Sequence, residues 1–380
     1  MSTKQLPWKN LLILAFIACI AMISELLPSG FLQEMASAFN VPLGRMSLFI
    51  GTYAIMSAAV GIPITRAFSQ VNRKTYLLWV CGFFAVSNLC IAFAPNFLIA
   101  FLARIIAGAA AGALWAMLGS YPIGFLPLHL AGRGTAIVLA GVTFGLSVGL
   151  PLATLFAKAF GWRMGFVLIT LLFIASALLG LKLFPPVDGE EYNADNNYGK
   201  LLKNEGLLIA SLATILIVMA QYISYIFIQL IAQTAGIAVA SAQAAFGVGA
   251  LLSIGIVARF IDRYLFKLTL AISALTAIAI FILVVNVPSP LINYLAFALW
   301  GLGFAPMTTL LQTATTKQVD HGKALANSVS ATSYDLAIML SSLLGSITIA
   351  SLGLSGTLWI SIGFALAVFF LVFFNHKYFT

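Results

Sequence analysis

The 380-residue chain is 62% hydrophobic and only 8% charged, whereas soluble domains carry roughly 25% charged residues. This composition excludes a water-soluble fold, because the surface of such a fold needs polar residues that the chain lacks. The net charge of +9 comes from basic residues scattered between apolar runs, which indicates membrane topology and not a nucleic-acid partner.

Twelve apolar runs follow one another along the chain, separated by glycine, proline, asparagine or charged residues. Crossing a hydrocarbon core of about 30 Å takes about 20 residues of helix. The runs predict helices near 9–30, 44–68, 75–94, 97–126, 134–157, 162–184, 205–232, 239–261, 267–287, 291–316, 323–350 and 355–375. We therefore expect an all-α membrane protein with twelve transmembrane helices.

The basic residues are distributed unequally between the two predicted sides of the membrane. With a cytoplasmic N-terminus, fifteen lysines and arginines fall in inner loops and tails, and only Arg45, Lys158 and Arg163 face outward. Such a positive-inside bias predicts that both termini of this multi-pass protein are cytoplasmic. The sequence has no Asn-x-Ser/Thr glycosylation site, which fits a cell inner membrane.

A hydrophilic segment, 185–203, divides the chain near its midpoint. Gly61 opens GIPITRAFSQVNRK after helix 2, and Gly255 opens GIVARFIDRYLFK after helix 8, so a basic turn recurs at corresponding places. Parallel six-helix repeats produce this kind of spacing. We expect an N-terminal six-helix bundle over 1–184, a cytoplasmic linker over 185–203 and a pseudo-symmetric C-terminal six-helix bundle over 204–380.

Three ionisable residues lie inside predicted helices, where a charge costs several kcal/mol unless it has a partner or a function. Glu25 in helix 1 and Arg104 in helix 4 are expected at comparable depth. They form either a fixed ion pair that braces the two helices or a site that binds and releases a proton. Asp335 in helix 11 is either a functional acid facing an aqueous cavity or a neutral acid bonded to nearby hydroxyl groups.

Aromatic and amide residues away from the predicted helix ends suggest a ligand cavity, although such residues also occur as core and lipid-facing side chains. Gln221 and Asn327 are favoured because a buried amide needs hydrogen-bond partners. The candidate substrate-binding residues are Tyr53, Trp115, Gln221, Tyr222, Tyr225, Trp300, Gln312 and Asn327.

Small residues recur every four positions in helix 5, which gives the helix a smooth face and permits close backbone approach. Such a face suits two halves that move against each other, and static packing uses the same spacing. The candidate gating residues are Gly141, Gly145, Gly149 and Pro151 in helix 5, with Gly61, Arg66 and Arg73 around the loop after helix 2.

The sequence favours a transporter over an enzyme. It contains no glycine-rich phosphate loop with the lysine and hydroxyl residue of an ATP-driven pump, and no H-E-x-x-H zinc helix. The three cysteines lie in apolar runs without metal-ligand spacing. We expect neither a cofactor nor a bound metal.

Four short segments occur in an order typical of one transporter family. They are Glu25 ahead of Pro28 and Gly30, Arg104 with Gly108, Gly161-Trp162-Arg163, and Trp300-Gly301 with Leu310-Leu311-Gln312. In these segments the chain resembles the major facilitator superfamily, specifically the sugar, nucleoside and small-metabolite exporters of its twelve-helix drug:proton antiporter branch. The loop after helix 2 departs from the family pattern, with Thr65 at the position of an aspartate.

The resemblance implies a monomeric, proton-coupled exporter that works by alternating access in the lipid bilayer. Its substrate would be a sugar, nucleoside, amino-acid derivative or drug-like molecule. Glu25, Arg104 and Asp335 would couple transport to protons, with Asp335 as a second proton site or a substrate contact. The alternatives are an uptake symporter, a uniporter, or a membrane sensor that does not transport.

Overall fold

In a computed structural model, residues 6–189, 204–319 and 323–379 are described, and these ranges contain helices and no strand. Twelve helices in them are long and apolar enough to cross a membrane, which confirms the predicted all-α, twelve-helix membrane fold. The spans are α1 Trp8–Gly30, α2 Leu43–Gly61, α3 Arg73–Phe93, α4 Phe97–Phe125, α5 Leu130–Phe160, α6 Trp162–Leu183, α7 Glu205–Tyr225, α8 Val239–Val257, α9 Arg259–Val285, α10 Pro290–Lys317, α11 Ala326–Ser351 and α12 Gly353–Phe374.

Breaks in the helical ladder shape several of the spans. The α-helical part of α1 ends at Leu26, where a 3₁₀ turn, Leu27–Gly30, leads to a short helix, Leu32–Ala38. A second short helix, Ile228–Thr234, follows α7 after a two-residue turn. The breaks in α1 and α10 coincide with Pro28 and Pro306, which lack the N–H that the helical ladder needs.

The loop predicted between helices 8 and 9 is replaced by a bend. Helical hydrogen bonding runs from Val239 to Val285, with a kink at Tyr264, where φ is −130° and ψ is 29°. The charged residues of this stretch suggested a loop, but residues 256–285 contain no glycine or proline that would end a helix. The chain therefore bends here while remaining helical.

The chain folds into two compact units. Unit 1 comprises Met1–Pro28 and Ile55–Tyr192, and unit 2 comprises Ser29–Ala54 and Asn193–Thr380. The segment 29–54, which comprises the end of α1, the short helix Leu32–Ala38 and the first half of α2, thus belongs with the C-terminal helices. The predicted bundles 1–184 and 204–380 stay a prediction.

The glycine face of α5 packs against α1 inside unit 1. A methyl group on Gly141 would overlap the carbonyl oxygen of Ala15, and one on Gly145 would lie 2.7 Å from the carbonyl oxygen of Cys19. A methyl group on Gly149 would lie 2.6 Å from the Ile23 side chain. Such contacts belong to static packing, and the gating role of these glycines stays a prediction.

A π-helical turn, Gly145–Gly149, interrupts α5 just before the buried Pro151. This turn also holds a G-x-S-x-G spacing, with Ser147 at its centre. A hydrolase nucleophile of this spacing sits on a strand-to-helix turn. Because Ser147 lies within a helix, the spacing here does not form a nucleophile elbow.

The other gating candidates lie around α2 and α3. Gly61 packs against Gly112 of α4. A methyl group on Gly112 would overlap the main chain of α2. Arg73 begins α3, and its main-chain N–H donates to the Val187 carbonyl at 2.8 Å. The side chain of Arg66 lies outside the described residues.

The substitution Gly141→Ala should lower the melting temperature of the purified protein, because the added methyl group meets the rigid main chain of α1. Overpacking of this kind costs about 1–3 kcal/mol. Gly82→Ala is the matched control, since a methyl group there meets no described atom within 4 Å and alanine improves helix propensity. Equal melting temperatures for both variants in detergent would contradict the close α1–α5 contact.

Candidate functional site

The interrupted end of α1 holds the first part of the candidate site. Pro28 has no N–H, so the carbonyl of Ser24 loses the donor that a regular helix would supply four residues later. The guanidinium of Arg104 replaces that donor. Its Nη1 donates to the main-chain oxygen of Ser24 at 2.8 Å, and its Nη2 donates to the main-chain oxygen of Glu25 at 2.5 Å. Arg104 is fully buried in α4, and its positive charge lies at the negative end of the α1 dipole.

A third helix contributes to the same place. The hydroxyl of Ser24 donates to Asn88 Oδ1 in α3 at 3.0 Å, and the Asn88 amide donates to the Phe84 carbonyl at 2.8 Å. The Glu25 side chain is only 7% exposed. Glu25, whose main-chain oxygen accepts from the Arg104 guanidinium, thus lies in a polar cluster formed by α1, α3 and α4 of unit 1.

The two hydrogen bonds described above join Arg104 to the main-chain oxygens of Ser24 and Glu25. These acceptors were not predicted, although the spacing of Ser24 and Pro28 contains the signal. Asn88 was also missed. The two roles expected for Glu25, bracing the helices or exchanging a proton, stay predictions.

A second polar cluster lies in unit 2 and is built on Gln221 of α7. The indole N–H of Trp300 donates to Gln221 Oε1 at 2.6 Å, and Gln221 Nε2 donates to the Thr276 hydroxyl at 2.6 Å. All three residues are fully buried. Because the amide oxygen and one N–H of Gln221 are engaged by the protein, this residue holds Trp300 in place.

Aromatic rings surround this cluster. Tyr225 lies 5.1 Å from Phe246, 5.3 Å from Phe304 and 5.8 Å from Trp300, measured between ring centroids. The Tyr222 hydroxyl lies 3.0 Å from the Tyr334 hydroxyl of α11. We call Tyr225, Phe246, Trp300 and Phe304 the aromatic cluster.

The remaining candidates are distributed over both units. Asp335 follows Tyr334 in α11 and is half-buried, as are Trp115, Gln312 and Asn327. Tyr53 is 1% exposed in α2. Their roles stay predictions.

Gln243 of α8 is a further polar residue that the sequence analysis missed. Its side chain is fully buried, and neither its amide oxygen nor its amide nitrogen has a hydrogen-bond partner among the described residues. Within the same ranges, the Tyr225 hydroxyl is likewise buried without a partner. The signal in the sequence was weak, because a single glutamine in the small-residue run of 240–250 resembles an ordinary helix start.

Segment 29–54 is attached to the helices of unit 2 by polar contacts. The buried Gln229 amide donates from Nε2 to Glu34 Oε2 at 2.5 Å, and its Oε1 accepts the Gln33 main-chain N–H at 3.1 Å. Gly51 N–H donates to the Ser342 hydroxyl of α11 at 3.2 Å. We call these contacts the segment 29–54 clasp.

Close packing accompanies the clasp. The Ser342 hydroxyl donates to the Ser47 carbonyl at 2.7 Å. A methyl group on Gly51 would overlap the Ser342 side chain, and one on Gly44 would lie 2.5 Å from the Ser346 carbonyl oxygen. Glycine at these positions allows the main chains of α2 and α11 to approach closely.

Comparison with known proteins places these sites in context. A family described as Major Facilitator Superfamily matches residues 14–341. Chloramphenicol efflux pumps from two strains of Mycobacterium tuberculosis are each 28% identical to the chain over 363 residues, which cover 90% of this chain and 88% of each pump.

Solved transporter structures share the fold across the whole length. A bacterial homologue of the human lysosomal transporter Spinster has a TM-score of 0.79 at 15% identity, over 99% of this chain and 98% of that one. The peptide transporter POT has a TM-score of 0.80 at 12% identity, over 98% and 95%. At such low identity, the likeness shows the fold alone.

The substitution Arg104→Ala should lower the unfolding free energy by about 3 kcal/mol, because hydrogen bonds from charged groups contribute about 1.5–3 kcal/mol. In a Pro28→Ala background the loss should be smaller, since residue 28 then supplies an N–H for the Ser24 carbonyl. The coupling should reach about 1 kcal/mol in a double-mutant cycle measured by unfolding in detergent. Pro63→Ala, in the helix that continues α2, is the control, and its change in unfolding free energy should add to that of Arg104→Ala. If the changes caused by Pro28→Ala and Arg104→Ala were also additive, the proposed cause would be contradicted.

Proposed function

The chain belongs to the Major Facilitator Superfamily and is a transporter of that family, and from this premise we propose that it is a proton-coupled exporter of drug-like small molecules. The relatives named chloramphenicol efflux pumps match nine-tenths of the chain, which supports export and makes chloramphenicol a candidate substrate. The distribution of basic residues supports cytoplasmic termini, and the bacterial efflux-pump relatives support an inner-membrane location.

The observation that carries the proposal is the way Arg104 is bound at the end of α1. Its guanidinium donates to two main-chain oxygens, and these acceptors remain whether or not the Glu25 carboxyl group is protonated. Glu25 can therefore take up a proton without leaving Arg104 as a buried charge without acceptors, a state that would be strongly unfavourable. This arrangement suits a site whose protonation changes during each cycle.

Coupling follows from the position of Glu25 in the chain. Only Leu26 and Leu27 separate it from Pro28, which precedes the segment 29–54 clasp. A change in charge at Glu25 acts on the turn that leads into this segment. In the proposed cycle the clasp is present in one state and released in the other, and protons and substrate couple because each binds the two states with different affinity.

Asp335 and the aromatic cluster supply the substrate side of the proposal. Asp335 lies next to Tyr334, whose hydroxyl contacts Tyr222. An acid at this position either contacts the substrate or takes up a second proton. An uptake symporter is the second candidate within the family, and it differs from an exporter in the direction of substrate flux under an imposed pH gradient.

The substitution Glu25→Gln should abolish proton-driven accumulation of chloramphenicol in everted membrane vesicles, because the amide cannot exchange a proton. Exchange of labelled for unlabelled chloramphenicol without a pH gradient should persist. Glu205→Gln, which alters an exposed carboxylate in the first turn of α7, is the matched control and should transport normally.

Two results would overturn the assignment. Undiminished proton-driven accumulation by Glu25→Gln would remove Glu25 from the coupling mechanism. Chloramphenicol loss from acid-loaded everted vesicles, with accumulation when the gradient is reversed, would show an uptake symporter instead of an exporter.

A further inference from the structure

The Gln243 side chain has polar groups that the described part of the protein leaves unused. Buried amides are nearly always hydrogen-bonded, because an unpaired polar group in an apolar interior is unfavourable. Gln243 is fully buried, and neither end of its amide is bonded to any described residue. By contrast, the amide of Gln221, also in unit 2, is bonded at both its oxygen and its nitrogen.

Gln243 shares a neighbouring residue, Phe246, with another unused polar group, the Tyr225 hydroxyl. It precedes Phe246 by one helical turn, so the two side chains share a face of α8. The Phe246 ring is 5.1 Å from the ring of Tyr225, measured between centroids, and the Tyr225 hydroxyl is also buried with no partner in the described ranges. The unused amide of Gln243 and the unused hydroxyl of Tyr225 thus belong to two residues that both neighbour Phe246.

The elements around this pair are closely packed. A methyl group on Gly301 would overlap the Phe246 carbonyl oxygen, so the main chains of α8 and α10 are in direct contact here. Trp300 is held by Gln221. With these neighbours engaged, the hydrogen-bonding capacity of Gln243 and Tyr225 is unused among the described residues and is available to a ligand.

We propose that Tyr225 and Gln243 form a recognition site for the polar group of an uncharged aromatic substrate, whose ring packs against the aromatic cluster. Gln243 offers an acceptor and a donor, and the Tyr225 hydroxyl can do either, so an amide or hydroxyl group on the ligand would satisfy both. Gln221 and Trp300 position the cluster, since their polar groups bond to each other. A charged group would be disfavoured between Tyr225 and Gln243, because neither supplies a counter-charge.

This inference rests on the proposed export function for its choice of probe, but binding tests it without a pH gradient. Chloramphenicol, an uncharged nitrophenyl compound with amide and hydroxyl groups, should raise the melting temperature of the purified protein. Tyr225→Phe and Gln243→Leu should keep or raise the melting temperature of the ligand-free protein, because each removes an unsatisfied polar group. Both should weaken chloramphenicol binding by roughly tenfold or more, as expected for a lost buried hydrogen bond.

Tyr294→Phe is the matched control, since the Tyr294 hydroxyl bonds to Ser241 at 3.2 Å and joins α10 to α8. It should leave chloramphenicol binding unchanged. If buried water alone satisfies the pair, Tyr225→Phe and Gln243→Leu will lower the melting temperature and leave binding unchanged, which overturns the proposal. Absence of chloramphenicol binding to the wild-type protein also overturns it.

The outcomes separate this inference from the export function. Retained chloramphenicol binding with no proton-driven flux would contradict the proposed exporter and leave the recognition site intact. Proton-driven export that is unaffected by Tyr225→Phe and Gln243→Leu would contradict the recognition site alone.

Discussion

The bond between a buried guanidinium and the interrupted end of α1 is the constraint on which the other features depend. Pro28 removes one helical donor, and Arg104 supplies two in its place. A membrane interior has no water to donate a hydrogen bond. A backbone carbonyl that loses its helical donor to proline must therefore accept a hydrogen bond from within the protein. The same exchange joins Arg104 to the main chain of Glu25. In the proposed mechanism, this one side chain completes the end of α1 and stays bound there while Glu25 exchanges a proton.

Some buried polar groups of unit 2 are hydrogen-bonded to one another, and others have no partner in the described ranges. Gln221, Trp300 and Thr276 satisfy one another, and Gln229 satisfies Gln33 and Glu34. These networks fix side chains and hold segment 29–54. Tyr225 and Gln243 are instead left unbonded within the described ranges, which is unfavourable in the absence of a ligand. Unused hydrogen-bonding capacity of this kind is concentrated at functional sites, where stability is given up for binding.

Hydropathy was sufficient to predict the twelve helices, because the length of an apolar run is set by the thickness of the hydrocarbon core. The depth of Glu25 and Arg104 along their helices also predicted that they lie near each other. Three features required coordinates. The bend at Tyr264 replaced a predicted loop because charge, without a helix breaker, does not end a helix. The grouping of segment 29–54 with unit 2 depends on contacts between residues distant in sequence. The lack of hydrogen bonds to the Gln243 amide depends on which described side chains surround it.

The central claim is that Glu25 exchanges a proton while Arg104 remains bound to the main chain, and its most direct test is proton release on substrate binding. Chloramphenicol added to purified protein in weakly buffered detergent solution should release protons from the wild type, measured with a pH indicator. Glu25→Gln should bind chloramphenicol and release none. Equal proton release by the two proteins, or none from a wild type that binds the compound, would contradict the account.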